Sequence, residues 1–546
     1  MRSYLFAILI FTLLFTGCKS WVNHSLISLE SNNGLKKKLK IDLKNWHFKD
    51  IIKDTIPGIS LERVYDELLQ NKTGKDVIVA VIDMEVDIDH KELQGKIWTN
   101  LKEIFNNNID DDQNGYIDDI YGWNFLGNAQ GENNRFVNYE YTRILKRFNS
   151  KFKDKSSGEI SPNDSINFKI YGLAQKYYNN RMRFAVEDSA YANMIFNSMT
   201  GSKMAISNYL KNENYSIKKL DSLKLVYPED KELQKYIRRL TGFIKNGYTQ
   251  QYIDNYKLNA EERINKLLNL EYDDRIIQGD DSDNISDLDY GNNILNANID
   301  FFDHGTKMAG IISNIGLKGE IKIMSLSISS YGDEHDKDIA LAIRYAVDNG
   351  AKVINISFGK EFSLHYEWVA DAIKYAEKNN VLLVSSAGND GINLDNKPYL
   401  HFPNDHNYFK EDEISNNFLK VGSSGKILDK SFKLTYSNYG KKEVDVFAPG
   451  QNIYTTLPNN KYTNSAGGTS SASAITSGVA ALIYSYYPNL TAYQVKKKIM
   501  DSGLEYNVEV STPTEKDKNK TRPFNQLSKS GKVVNVYNAF LLADKY

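Results

Sequence analysis

Cysteine is all but missing from this chain: Cys18 is the single one in 546 residues. A fold stapled by disulfides is therefore excluded, and so is a zinc site built on paired thiolates. Proline is scarce too, with 10 residues against 36 tyrosines. Neither sign of charge dominates: 68 Lys and Arg face 69 Asp and Glu, so no global field draws the chain to nucleic acid or an acidic surface. The eight histidines are scattered, and no HExxH, GxSxG or phosphate-loop motif occurs, so nothing indicates a catalytic metal. The apolar run at 4–15 stops short of the roughly 20 residues needed to cross a bilayer. What remains, 41% hydrophobic and 25% charged residues, is ordinary globular composition on a chain long enough for a large core.

The opening MRSYLFAILIFTLLFTGC combines a basic start at Arg2, a short apolar run and small residues before a cut site, the pattern of a secretion signal. Its end, Phe15-Thr16-Gly17-Cys18, resembles the lipobox of bacterial lipoproteins, with Phe15 where Leu is usual. The resemblance implies cleavage before Cys18, lipidation of Cys18, and an exported chain anchored by lipid in the cell envelope, in the periplasm or at the cell surface. An uncleaved anchor is the alternative, and it leaves the bulk of the chain outside the cytoplasm as well. Residues 1–18 are thus read as signal, 19–44 as a polar tether and 45–546 as the folded domain.

Continuous apolar runs mark strands buried on both faces of a parallel sheet. They recur as VIVAVID (77–83), IKIMSLS (321–327), KVINISF (352–358), VLLVSSAG (381–388) and EVDVFAPG (443–450). Helical spacing fills intervals between them, over 336–350 with Gly350 as its cap, and over 367–380. This alternation predicts an α/β fold whose ligands gather beyond the carboxyl ends of the strands. From 126 to 289 the text turns to Lys, Asn, Tyr and Glu without strand runs. A mostly helical insertion is expected there, its charges forming a solvated face.

Three segments put reactive side chains at the ends of strands or the starts of helices. Asp83 closes VIVAVID, His304 lies in DHGTKMAGII, a turn leading into a helix, and Ser470 lies in GGTSSASAITSGVAALI, a glycine turn leading into another. A serine hydroxyl needs a base, an imidazole supplies one, and a carboxylate orients the imidazole. Oriented N–H groups at a helix N-terminus can stabilise an oxyanion. Together the segments resemble the Asp, His and Ser boxes of the subtilisin-like serine proteases, in the family's order. Asn389 in SSAGND matches the family's oxyanion-hole asparagine, and Ser357-Phe358-Gly359 resembles the edge that pairs with substrate backbone.

The likeness covers roughly residues 51–125 and 303–546. It implies a three-layer fold around a central, mostly parallel sheet, with the helical insertion between the Asp and His boxes. It implies a triad of Asp83, His304 and Ser470 in a serine endopeptidase that cuts polypeptides through an acyl-enzyme. The nucleophile should follow Gly-Thr directly, which selects Ser470 and leaves Ser471, Ser473 and Ser477 to packing.

The boxes depart from the family at three places. Met84-Glu85 stand where Ser or Thr and then Gly are usual, Lys307 replaces a His, and Ala474 replaces a Pro. Glu85 is expected to face solvent, Lys307 to lower the pKa of His304, and Ala474 to be mild in a helix. Two rival readings follow: a catalytically degenerate relative that binds peptides along 357–359, and a surface interaction protein working through its insertion. In IDDDQNGYIDD, Asp110, Asp112, Asn114 and Asp118 surround Gly115 and resemble the start of a calcium loop, so a structural Ca²⁺ is expected. Tyr121 occupies the place of the closing Glu, leaving Asp118 or Asp119 to close the site. The family's calcium site on a longer loop after the histidine helix is not expected, nor is a full folding prodomain in 19–76.

Overall fold

The computed structural model describes residues 25–26, 44–210, 215–396, 401–406 and 412–544. The signal segment, Cys18 and most of the tether lie outside the described residues.

The apolar runs collect in one central sheet. Its longer strands are β1 (Val77–Asp83), β2 (Gly122–Asn124), β3 (Ile321–Ser327), β4 (Val353–Ile356), β5 (Leu382–Ser386), β6 (Phe418–Ser424) and β7 (Val446–Pro449). They lie in the order β7-β6-β5-β4-β1-β3-β2, all parallel. Lys532–Val533 and Leu504–Glu505 extend the β7 side, paired antiparallel to each other. A hairpin of β8 (Ile453–Leu457) and β9 (Lys461–Ala466) stands apart from the sheet.

The helices begin with α1 (Leu61–Glu67). The region between β2 and the histidine box holds α2 (Glu140–Phe152), α3 (Ser165–Ser207), α4 (Ile217–Val226), α5 (Lys231–Lys245) and α6 (Gln250–Glu262). Then come α7 (His304–Ser313), α8 (Asp336–Asp348), α9 (Tyr366–Lys378) and α10 (Thr469–Tyr486).

Successive strand residues point to opposite faces, so each run feeds two cores. Val77, Val79 and Val81 of β1 pack with α7 and α10, whereas Ala80 and Ile82 pack with α8 and α9. Each fully buried Val or Ile contributes about 1.5–3 kcal/mol, and helices on both faces explain why the runs carry no polar alternation. Two elements escape the sequence pattern. The short edge strand β2 has the sequence GWN, and β6 reads FLKVGSS, where Lys420 and two serines break the apolar run. Lys420 is nevertheless buried, 3.7 Å from Glu443.

The insertion is helical, as expected. Its longest member, α3, has 43 residues and so reaches about 65 Å. It links two small cores. Near the sheet, Tyr141, Ile144, Phe152 and Tyr171 pack with Phe362. At the far end, Met199 and Ile206 meet Leu220, Leu233, Ile237 and Ile253. Most of the insertion's charges face solvent, as expected, but those next to the sheet do not. Arg143 is buried between Glu140 and Asp274, and buried Arg275 holds Asp280 and Asp338 of α8, each at 2.7 Å. Buried charges persist only when paired in this way, and here they clip the insertion to the body of the fold. Among the described residues no helix is long and apolar enough to cross a membrane.

Candidate active site

β1 ends on Asp83, beyond the carboxyl end of the sheet's centre. Its Oδ1 accepts the Met84 N–H at 2.7 Å and meets His304 Nδ1, also at 2.7 Å. Gly305 makes this approach possible: a Cβ there would lie 2.3 Å from the Met84 carbonyl oxygen. With glycine, the first turn of α7 rests directly on the 84–85 backbone. Holding the Nδ1 proton toward Asp83 leaves Nε2 free to act as a base.

Burial draws the His304 pKa down, but the Asp83 carboxylate outweighs it, and the net shift is upward from 6.5. Lys307 does push it down, yet its ammonium is tied to Asp303 at 2.7 Å, and that carboxylate pushes it up. The expected lowering by Lys307 is thus present, but Asp83 and Asp303 outweigh it. Catalysis needs neutral His304, so activity should be lost as pH falls through a pKa above 6.5. Lys307→Met removes a repelling charge and should move this acid limb of kcat/KM to higher pH. Asp303→Asn should move it down. A limb indifferent to both changes would mean that it does not report His304.

Gly468 precedes α10 with φ of +93°, a conformation that side chains resist. Ser470 sits in the helix's first turn and is 7% exposed. Its Oγ donates to the Ser357 carbonyl at 2.9 Å and makes no hydrogen bond to His304. Presenting it to His304 requires rotation about the Cα–Cβ bond. The neighbouring serines are satisfied within the structure: Ser471 by Gly467 O at 3.2 Å, Ser473 by Ser470 O and Ser477 by Asn355 Oδ1, both at 2.9 Å.

Asn389 stands at the rim beside them. Its Oδ1 accepts the Thr469 N–H at 2.9 Å and the Thr469 hydroxyl at 3.2 Å. With the oxygen end so engaged, the Nδ2 donors are the free end of the amide, on the same cavity as Ser470. The KVINISF run proves shorter as a strand than its sequence: β4 stops at Ile356. Ser357, Phe358 and Gly359 continue past it with no partner strand in the sheet, as a substrate-pairing edge requires.

A cavity of about 450 Å³ opens beside Ser470, flanked by 357–361 and by Gly388–Asp390. His401 lines it, packed so tightly that a Cβ on Gly359 would come within 2.1 Å of its ring. Burial lowers the His401 pKa to about 3 and keeps it neutral. The insertion supplies Tyr139, Tyr141, Tyr177 and Arg181 to the same cavity. None of these was legible as a site residue; an unusual richness in tyrosine was the only trace.

Glu85 is the clearest reversal of expectation. It is 2% exposed, facing inward rather than to solvent. Oε1 accepts from Asn298 Nδ2 at 2.9 Å and Asn133 Nδ2 at 3.1 Å, and Oε2 accepts the Asn298 N–H. Amides rather than cations thus satisfy the carboxylate, tying the loop after Asp83 to Asn133 near the start of the insertion and to Asn298 beyond its end. Glu85→Ala should cost about 3 kcal/mol, since it strands buried donors. Denaturant unfolding of this variant checks the claim. No loss of stability would contradict the cage.

The acidic loop is rearranged relative to its sequence reading. Glu103, Asp110 and Asp112 bring carboxylate oxygens within 4.8 Å of one another. Asp118 is not one of these three carboxylates and accepts the N–H groups of Asn107 and Asn108, while Asn114 Oδ1 accepts the Tyr116 N–H. Asp119 is held by Asn100, Asn114 and Tyr345.

Residues 74–527 match a family model described as the Subtilase family. The chain is similar to the Major intracellular serine protease of Bacillus subtilis, 35% identical over 34% of this chain and 56% of that protein. It is 30% identical to Subtilisin DY of Bacillus licheniformis over 37% of this chain and 70% of that one. A Cell wall-associated protease of Bacillus subtilis is also 30% identical, over 40% of this chain but 24% of its own length. The chain thus spans from about a quarter to somewhat over two thirds of these relatives. The family match takes in Asp83, His304, Ser470 and Asn389 together with most of the sheet, and the chain belongs to the subtilase family.

Proposed function

We propose that this protein is a serine endopeptidase that hydrolyses polypeptides through an acyl-enzyme on Ser470. The observation that carries the reading is the 2.7 Å pair of His304 and Asp83, on the same carboxyl-end side of the sheet as Ser470 and the substrate cavity. Substrate backbone lies along Ser357–Gly359, and Ser470 Oγ attacks the carbonyl carbon as His304 Nε2 takes its proton. The oxyanion draws on Asn389 Nδ2 and the N–H groups at the start of α10. His304⁺, steadied by Asp83, then protonates the leaving amine. Water reverses the sequence and frees the acid product. An unfolded protein such as denatured casein should be cut by the wild type and left intact by Ser470→Ala. Equal cutting by both would overturn the assignment.

One observation favours the second reading, a relative that binds peptides without cutting: the hydroxyl of Ser470 rests on Ser357 rather than His304. Stable peptide binding without any product would select that reading.

The cellular setting belongs to the same proposal: export, lipidation at Cys18 and attachment to the envelope. A structural calcium ion fits at Glu103, Asp110 and Asp112, where Asp112 Oδ1 is buried with no hydrogen-bond partner. Calcium should raise the melting temperature, and Asp112→Ala should abolish that rise. An equal rise in the variant would place the ion elsewhere.

A further inference from the structure

The cavity beside Ser470 is built only partly by the catalytic fold. Its far wall comes from the insertion: Tyr139 precedes α2, Tyr141 lies within it, and Tyr177 and Arg181 are one turn apart on α3. Their placement is fixed from both sides. Tyr141 belongs to the core that includes Phe362, just after the substrate edge, and Asp333 accepts the Glu140 N–H at 2.8 Å.

The lining combines aromatic faces with carboxylates. Tyr139 and Tyr141 stack with ring centroids 5.1 Å apart, and Tyr177 lies 6.5 Å from Tyr141. Asp333 and Glu361 line the cavity with them, and exposed Asp390 lies at its edge. The nearby cations offset little of this charge. Lys360 turns its ammonium away, to the Glu334 carbonyl at 2.6 Å and Asp336 at 2.9 Å. Arg181 is 56% exposed and reaches Glu361 only at 3.7 Å.

A second observation points to an absent partner. Tyr141 is 1% exposed, and among the described residues its hydroxyl has no hydrogen-bond partner. Burial and the proximity of Asp333 also raise the Glu361 pKa to about 7, and burial raises that of Asp333. Burial is the first cause of both shifts, and the like charge of Asp333 adds to it at Glu361.

We infer that the insertion is a specificity element, and that the cavity it completes takes a cationic substrate side chain, arginine or lysine, between the tyrosine rings and the carboxylates of Asp333 and Glu361. The rings hold the aliphatic stem and attract the charge through their faces. The carboxylates accept its N–H donors. Arg181 at the mouth competes for Glu361 and moderates the preference. An acidic side chain meets like charge, and an apolar one leaves the carboxylates and the Tyr141 hydroxyl without partners. The inference rests on the reading of Ser470 as nucleophile, so its test uses binding as well as turnover.

On Ser470→Ala protein, peptides identical except for Arg, Lys, Leu, Phe or Glu at the residue entering the cavity should bind in an order led by Arg and Lys. In the active enzyme, kcat/KM for the arginine peptide should exceed that for the leucine peptide by on the order of tenfold or more. Glu361→Gln should reduce the arginine rate by a similar factor. Arg181→Gln, a change on the exposed face of α3, should raise it severalfold and so guards against a misfolded Glu361 variant. Tightest binding of Phe or Leu, or an arginine rate unmoved by Arg181→Gln, would overturn the proposal. Arginine-selective binding by a protein that never cleaves would uphold the pocket and sink the catalytic reading instead.

Discussion

Asp83→Asn should lower kcat by on the order of 10⁴-fold and leave KM nearly unchanged. The reason lies in what Asp83 touches. A single oxygen, Oδ1, serves both the Met84 N–H and His304 Nδ1, while Oδ2 is buried with no partner. An asparagine keeps the shape, but its amide oxygen is neutral and its NH₂ end can face Nδ1. The tautomer with the proton on Nε2 then gains, and that tautomer cannot accept the proton of Ser470. Loss of the charge also removes the main influence holding the His304 pKa above 6.5. The acid limb of the residual activity should therefore move to lower pH. Steady-state kinetics across pH would read both effects. A kcat within tenfold of the wild type, with an unmoved limb, would mean that His304 is not the base.

Asn389→Ala should cost about 10²–10³ in kcat. This substitution removes the Nδ2 donors and also the acceptor for the Thr469 N–H, so lost activity has a second available cause, a shifted α10. Asn389→Asp separates the two causes. It keeps an oxygen for Thr469 but places negative charge where the oxyanion forms. The aspartate variant should thus keep its melting temperature and be at least as impaired as the alanine one. If it retains activity while the alanine variant loses it, Asn389 acts by holding α10 in place rather than as a donor.

Much of this was legible in the sequence, for physical reasons that differ by element. β1 and β3 are buried on both faces, so their runs of Val, Ile, Leu and Ala read directly as strands. Asp83, His304 and Ser470 were legible as candidates because each sits at the end of a strand or the start of a helix, where a short local motif stands out. The side chain of Glu85 was not. Its partners Asn124, Asn133 and Asn298 are remote in sequence, and nothing near position 85 announces them. Lys307 was judged by its own charge, without the Asp303 that pairs with it. The acidic motif at 109–119 shows only part of its surroundings, because Glu103, whose carboxylate approaches Asp110 and Asp112, lies outside it. The cavity wall was invisible for the same reason: Tyr141 and Tyr177 come to line the cavity beside Ser470 only through the packing of α2 and α3 with Phe362.

The most direct measurement is fluorophosphonate labelling of folded protein lacking residues 1–18, beside Ser470→Ala and His304→Ala. Such a probe reacts with a serine only when a base has activated it, and it needs no knowledge of the natural substrate. The account predicts labelling of the wild type at Ser470 and none in either variant. An unlabelled wild type, or labelling that survives His304→Ala, would contradict the claim that Ser470 is a nucleophile activated by His304.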